Sequence, residues 1–159
     1  YLNKIVFINS AAIRYSEVQL DGNIHLIGTQ GAGKSTILRA ILFFYNADTQ
    51  RLGIPVEKKS YQDYYFPYAD SSIIYEVARE DGWFTVLSYK TMNRICYRFI
   101  ASPYRPDLFI DEEGAPYPSD RIRSVLDKNG IKYSGAISTY EEYRNILYGN
   151  SDNKRDYSC

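Results

Sequence analysis

Apolar residues set the first elements of this chain. Lys4–Ile8 is a short, mostly apolar run that reads as a strand, and Ile13–Leu20 follows as a second, with Val18 and Leu20 on one face. Asp21-Gly22 is a tight-turn signal, so these two strands form a small antiparallel unit ahead of a third, buried strand at Asn23–Ile27. The period then changes. From Thr36 to Tyr45 the apolar residues Ile37, Leu38, Ile41, Leu42, Phe43 and Phe44 cover most of a helical circumference, with Arg39 the one charge. Such a helix is expected to lie buried between layers.

Further along, Ser72–Ala78, Trp83–Tyr89 and Arg94–Ile100 are three strand segments, and Asp81-Gly82 makes the first connection a hairpin. Ile73, Tyr75 and Val77 share one face, as do Ile95, Tyr97 and Phe99, which predicts an antiparallel meander. Two helices close the pattern. Ser119 is the expected cap of a helix to about Asn129, with Ile122, Val125 and Leu126 inward and Gly130 as its stop. Ser138-Thr139-Tyr140-Glu141 reads as a capping box for a helix carrying Tyr140, Tyr143 and Leu147 and ending near Gly149. Residues 46–70 show no period. Gly53, Pro55 and Pro67 mark a long loop, though the cluster Tyr61, Tyr64, Tyr65, Phe66 and Tyr68 indicates that part of it packs down. The division expected within one domain is residues 1–45 for the β-unit, glycine-rich loop and helix, 46–70 for the long loop, 71–112 for antiparallel strands and 118–149 for two helices.

Between the third strand and the first helix stands Gly28-Thr29-Gln30-Gly31-Ala32-Gly33-Lys34-Ser35-Thr36. It fills the phosphate-binding pattern G-x-x-x-x-G-K-[ST]. Glycines let the main chain curl until successive N–H groups converge on a phosphate. Lys34 supplies a compact cation for the β- and γ-phosphates. The Ser35 hydroxyl is placed to ligate Mg²⁺, and the helix that follows turns its positive end toward the same anion. A strand, this loop and a helix in succession is the arrangement in which the motif works. The fold class this predicts is α/β, a P-loop NTPase with an antiparallel β-subdomain and C-terminal helices.

Composition narrows the function classes. The 159 residues are 45% hydrophobic and 24% charged, a globular and not a disordered balance. Basic and acidic side chains number 19 each, so bulk charge gives no support for nucleic-acid binding, and a DNA contact would rest on local basic residues such as Lys58, Lys59, Arg94 and Arg98. Two cysteines, Cys96 and Cys159, make no disulfide framework and point to a reducing, cytoplasmic setting. No apolar run approaches membrane-spanning length. Opening at Tyr1 and stopping at Cys159 in a polar stretch, the sequence reads as a piece of a longer chain. The 17 tyrosines are expected to fill half-buried sheet faces before they stack on bases.

Secondary motifs are weaker. Leu108-Phe109-Ile110-Asp111-Glu112 imitates a Walker B strand, but Pro106 lacks an N–H and Asp107 would be buried, so Asp111 reads as a solvent-facing hairpin carboxylate. Asp111-Glu112-Glu113-Gly114 and Asn153-Lys154-Arg155-Asp156 mimic the GTPase patterns D-x-x-G and N-K-x-D. The second follows Gly149-Asn150-Ser151-Asp152, which is turn chemistry and not an apolar strand. With His25 the single histidine, no metal cluster or nucleophile triad can be assembled.

Lys4-Ile5-Val6-Phe7-Ile8-Asn9-Ser10, Ile13-Arg14-Tyr15 and Leu20-Asp21-Gly22-Asn23-Ile24-His25-Leu26-Ile27-Gly28, followed by Ser35-Thr36-Ile37-Leu38-Arg39-Ala40-Ile41, resemble the N-terminal lobe of the ATPase heads of structural-maintenance-of-chromosomes (SMC) proteins and their relatives RecF, MukB and the SMC-like ATPase of the Wadjet anti-plasmid system. Asp63-Tyr64-Tyr65-Phe66-Pro67 and Ser72-Ile73-Ile74-Tyr75-Glu76-Val77 resemble the MukB and Wadjet branch. The resemblance is specific over about Lys4–Tyr45 and looser to about Gly149. It implies ATP and Mg²⁺ as ligands, held by Gly28 to Thr36, with Ser35 on the metal. It also implies a C-terminal lobe carrying the Walker B and signature motifs beyond a coiled coil, an ATP-dependent head dimer, and accessory subunits and DNA as partners of the whole protein. The chain alone would then be an inactive half-site with no catalytic residue of its own. The family carries Asn where Gln30 stands, a longer amide with the same hydrogen-bonding groups, and its Q-loop glutamine has only Gln50 or Gln62 as counterparts. The alternative class is a small GTPase or nucleotide kinase, which would use Asp111 and Asn153–Asp156.

Overall fold

The computed structural model describes residues 1–20, 31–46, 61–91 and 94–147. Five strands, β1 (Leu2–Ser10), β2 (Ile13–Gln19), β3 (Ser72–Arg79), β4 (Gly82–Thr91) and β5 (Arg94–Ile100), make one sheet in the order β2-β1-β3-β4-β5, antiparallel throughout. The meander and the hairpin at Asp81-Gly82 form as the alternation predicts. The two opening strands, however, are not a separate unit, because β1 also pairs with β3, Ile5 opposite Tyr75 and Phe7 opposite Ile73. The reason lies in β1 itself. Ile5, Val6 and Phe7 are all fully buried, so the strand is apolar on both faces and belongs inside a sheet. The edge is left to β2, whose side chains are largely exposed and include Arg14 and Glu17.

Two cores result. On one face Ile5, Phe7, Ile73, Tyr75, Val86 and Phe99 pack against helix α1 (Gly31–Asn46) through Ile37, Ala40, Ile41, Phe43 and Phe44, and against helix α4 (Tyr140–Leu147) through Tyr143, Ile146 and Leu147. On the other, Val6, Ile8, Ile74, Leu87 and Ile100 meet Ile122 and Leu126 of helix α3 (Ser119–Lys128). Among these, each fully buried Val, Leu, Ile or Phe side chain contributes about 1.5–3 kcal/mol. The α1 helix is not buried all round: Leu38, Leu42 and Tyr45 are about 40% exposed, since the sheet covers only its inner side.

Helix boundaries differ from expectation by small, explicable steps. In α3 the cap position is Pro118, not Ser119, because the Pro118 carbonyl already accepts the Ile122 N–H at 3.0 Å. Gly130 ends the helix as expected, with φ +68° and the Ile131 N–H reaching back to the Leu126 carbonyl at 3.0 Å. For α4 the capping side chain is Thr139, whose hydroxyl accepts the Glu142 N–H at 3.3 Å, one residue past the box read from Ser138. The expected loop at 46–70 contains helix α2 (Tyr61–Tyr65), and residues 101–112 hold a 3₁₀ turn at Pro106–Leu108 in place of strand. No helix among the described residues is long and apolar enough to cross a membrane.

Ser10 pairs with Ile13, so Ala11 and Ala12 form a two-residue hairpin loop with φ +50° and +64°. That left-handed geometry suits glycine, and an L side chain there costs about 1–2 kcal/mol. Ala12 is exposed. Ala12→Gly is expected to raise unfolding free energy by about 0.5–1 kcal/mol, after allowing for the extra freedom glycine gives the unfolded chain. Urea denaturation checks this, and a lower midpoint would contradict the assigned turn.

Candidate functional site

Gly31 to Asn46 is continuous helix, so the second half of the phosphate-loop motif, Gly31 to Ser35, forms the opening of α1. The helix starts five residues ahead of the expected Thr36. Its first four N–H groups have no carbonyl partner within the helix, and together with the aligned peptide dipoles they favour an anion at this end. Gly28, Thr29 and Gln30, and the strand expected at Asn23–Ile27, lie outside the described residues.

A row of tyrosines holds α1 in place. Tyr65 donates its hydroxyl hydrogen to the Thr36 carbonyl at 2.6 Å, Tyr75 donates to the Ala40 carbonyl at 3.0 Å, and Tyr143 donates to the Phe44 carbonyl. All three are fully buried. The acceptors are four residues apart, one per turn on the inner face, and the donors come from α2, from the central strand β3 and from α4. Ring contacts reinforce the row, with Tyr75 centred 4.7 Å from Phe44 and Tyr143 4.1 Å from Tyr97. Each phenol meets its hydrogen-bonding need in an apolar setting, where an unmet one would cost about 1–3 kcal/mol.

Thr36, the last residue of the motif, is held twice. Its carbonyl takes the Tyr65 bond, and its buried side-chain hydroxyl lies 3.0 Å from the Tyr64 hydroxyl, either being able to donate. The Tyr64 and Tyr65 rings meet edge to face at 4.8 Å. Burial pushes the Tyr65 phenol above its ordinary range, its neighbour Tyr64 adding to this and Arg39 opposing it, so it stays a neutral donor. On the far side α2 is tied to the sheet by Phe66, which is fully buried, and by a long Lys90–Asp63 ion pair at 4.0 Å.

A family model described as Protein of unknown function (DUF3584) matches residues 9–156. The chain belongs to that family. It matches none of the curated proteins and none of the solved structures with which it was compared. The DUF3584 match runs from the end of β1 past α4, and so takes in the whole motif, α1 and all three tyrosines that hold it.

The remaining candidates of this DUF3584 chain fall apart in space or outside view. Asp111 is a turn carboxylate: its Oδ1 accepts the N–H groups of Glu113 and Ala115, each at 2.9 Å, and it belongs to no Walker B strand. Asp107 is exposed and paired with Arg105 at 2.7 Å, which holds its carboxyl below the usual carboxylate range. Among the basic residues named for DNA contact, Arg94 is exposed, but Arg98 is 5% exposed. The Arg98 Nη1 donates to the Ser134 carbonyl at 2.6 Å and its guanidinium lies 5.4 Å from the Tyr133 ring, so it holds residues 133–134 to β5 and presents nothing to DNA. His25, Gln50, Lys58, Lys59 and Asn153–Asp156 lie outside the described residues, and nothing is described of the Gln62 side chain.

A cavity of about 920 Å³, lined partly by Phe44, Tyr45, Val77 and Leu147, opens at the opposite end of α1. At 1.5 Å per residue it lies about 15 Å from Ser35 along the helix, so it is no part of a phosphate site. The fit of a nucleoside triphosphate rests on the donor set. By residue type the motif offers one ammonium at Lys34 and one hydroxyl at Ser35, beside the N–H groups that a helix leaves open in its first turn, on a helix whose main chain is fixed from behind. Sequence reasoning found the motif and missed Tyr64, Tyr65, Tyr75 and Tyr143. The sequence marked Tyr64 and Tyr65 as part of a cluster that packs down and Tyr75 as part of an apolar strand face, but their partners on α1 are chiefly main-chain carbonyls, which every residue carries, so the contacts themselves left no signal.

Proposed function

We propose that this chain is the ATP-binding N-terminal lobe of an SMC-like ATPase head, in a protein that acts on DNA in chromosome organisation, repair or defence against foreign DNA. The observation that carries the reading is a complete phosphate-loop motif whose second half opens helix α1, with the Tyr65 hydroxyl bonded to the carbonyl of its last residue, Thr36. A bound triphosphate would be held by the Gly28 to Thr36 segment, with the open N–H groups at the start of α1 and the Lys34 ammonium on its β- and γ-oxygens. Mg²⁺, held in part by Ser35, would neutralise charge on the same oxygens. Hydrolysis needs acids to hold Mg²⁺ and orient water, and the resemblance assigns these to a C-terminal lobe, with the signature motif arriving from a second head. The alternative of a small GTPase or nucleotide kinase loses support from Asp111, whose carboxylate is engaged within its own turn.

Competition binding tests the reading. Adenine nucleotides are expected to displace a labelled ATP analogue far better than guanine nucleotides do, and turnover is expected only after a C-terminal lobe is added in trans. Clear guanine preference, or no turnover with that lobe present, would overturn it.

A further inference from the structure

The opening of α1 is poorly suited to hold its own shape. Gly31 and Gly33 are weak helix formers with large conformational freedom. A phosphate grip nevertheless depends on amides that already point to one centre, because a ligand that must first order them binds more weakly. Something outside the helix has to fix the main chain next to the glycines. The first residue past Ser35 is where the structure applies that constraint.

We propose that Tyr64 and Tyr65 are positioning residues for the phosphate loop, acting as a clamp on Thr36 that sets triphosphate affinity. The inference rests on the ATP-binding reading given above. Tyr65 fixes the main chain through the Thr36 carbonyl at 2.6 Å, and Tyr64 fixes the side chain through a hydroxyl pair at 3.0 Å. Both come from α2, so the clamp also links the loop to residues 61–66, whose Phe66 is seated in the core. Two bonds from adjacent residues to one residue constrain its rotation as well as its position. Tyr75 and Tyr143 provide an internal comparison. They make the same hydroxyl-to-carbonyl bond to the same helix, but one and two turns farther from the motif.

The test uses the present chain and equilibrium titration with ATP and Mg²⁺, with thermal melting in parallel. Tyr64→Phe is expected to weaken ATP binding roughly threefold, and the Tyr64→Phe, Tyr65→Phe pair roughly tenfold, as losses of one and two hydrogen bonds. Tyr75→Phe is expected to lower thermal stability as much as Tyr65→Phe while leaving ATP affinity unchanged. Tyr64 is partly exposed, so its variant keeps the test independent of folding. Unchanged affinity in the double variant overturns the clamp, as does an equal loss in Tyr75→Phe, which would make helix stability the cause. A wild-type chain that takes up no ATP overturns the parent reading and the clamp together. Binding that is lost in Lys34→Ala but kept in the double variant overturns the clamp alone.

Discussion

Lys34→Ala is expected to lower triphosphate affinity roughly 10- to 100-fold while leaving the melting temperature almost unchanged. The fold-change corresponds to a net loss of about 1.5–3 kcal/mol, the range for a hydrogen bond to a charged group, here the Lys34 ammonium on the phosphate oxygens. The unchanged stability follows from position. Lys34 lies in the first turn of α1, ahead of the buried residues Thr36, Ile37, Ala40 and Ile41 that seat the helix. Calorimetric titration of ATP into both proteins reads the affinity, and circular dichroism melting reads the stability. Equal affinity in the two proteins would mean that the motif does not grip phosphate.

Tyr75→Ala is expected to have the largest effect on the fold, about 3–5 kcal/mol of destabilisation, the range for truncating a buried aromatic residue. Tyr75 stands on the central strand, fully buried, with its ring against Phe44 and its hydroxyl on the Ala40 carbonyl. Truncation therefore opens a cavity between sheet and helix and also removes a hydrogen bond. Against a typical total of about 5–15 kcal/mol, this takes much of the margin. Tyr75→Phe keeps the ring and is expected to cost only about 0.5–1.5 kcal/mol. Urea unfolding of the three proteins separates packing from hydrogen bonding. A small loss in Tyr75→Ala would show that α1 is not held to the sheet through this residue.

The strands of this chain were legible because alternation needs no partner to be seen. Ile73, Tyr75 and Val77 fall on one face whatever lies above them. The joining of β1 to β3 was less legible, since nothing in an apolar run names its neighbour; Ile5, Val6 and Phe7 show only in retrospect that the strand had to be interior. The α2 helix escaped notice because five residues give hardly more than one turn of period, too few for the spacing of Tyr61, Tyr64 and Tyr65 to stand out between Gly53, Pro55 and Pro67. Cap positions slipped by one residue where two candidates stood side by side, as with Ser138 and Thr139. The phosphate-loop motif stood out in the sequence because such chemistry constrains residue type at fixed spacing. The tyrosines behind it did not, because a hydroxyl that seeks a main-chain carbonyl leaves no complementary residue in the sequence.

The central claim is that the chain from Gly28 to Thr36 grips a triphosphate at the N-terminal end of α1. A crystal structure of the chain grown with Mg²⁺ and a non-hydrolysable ATP analogue tests it most directly. The account predicts β- and γ-phosphates within hydrogen-bond distance of the amides from Gly31 to Lys34, with the Lys34 ammonium on the same oxygens and the Ser35 hydroxyl on the metal. Nucleotide bound elsewhere, or those amides turned away from a common centre with the analogue in excess, would contradict it.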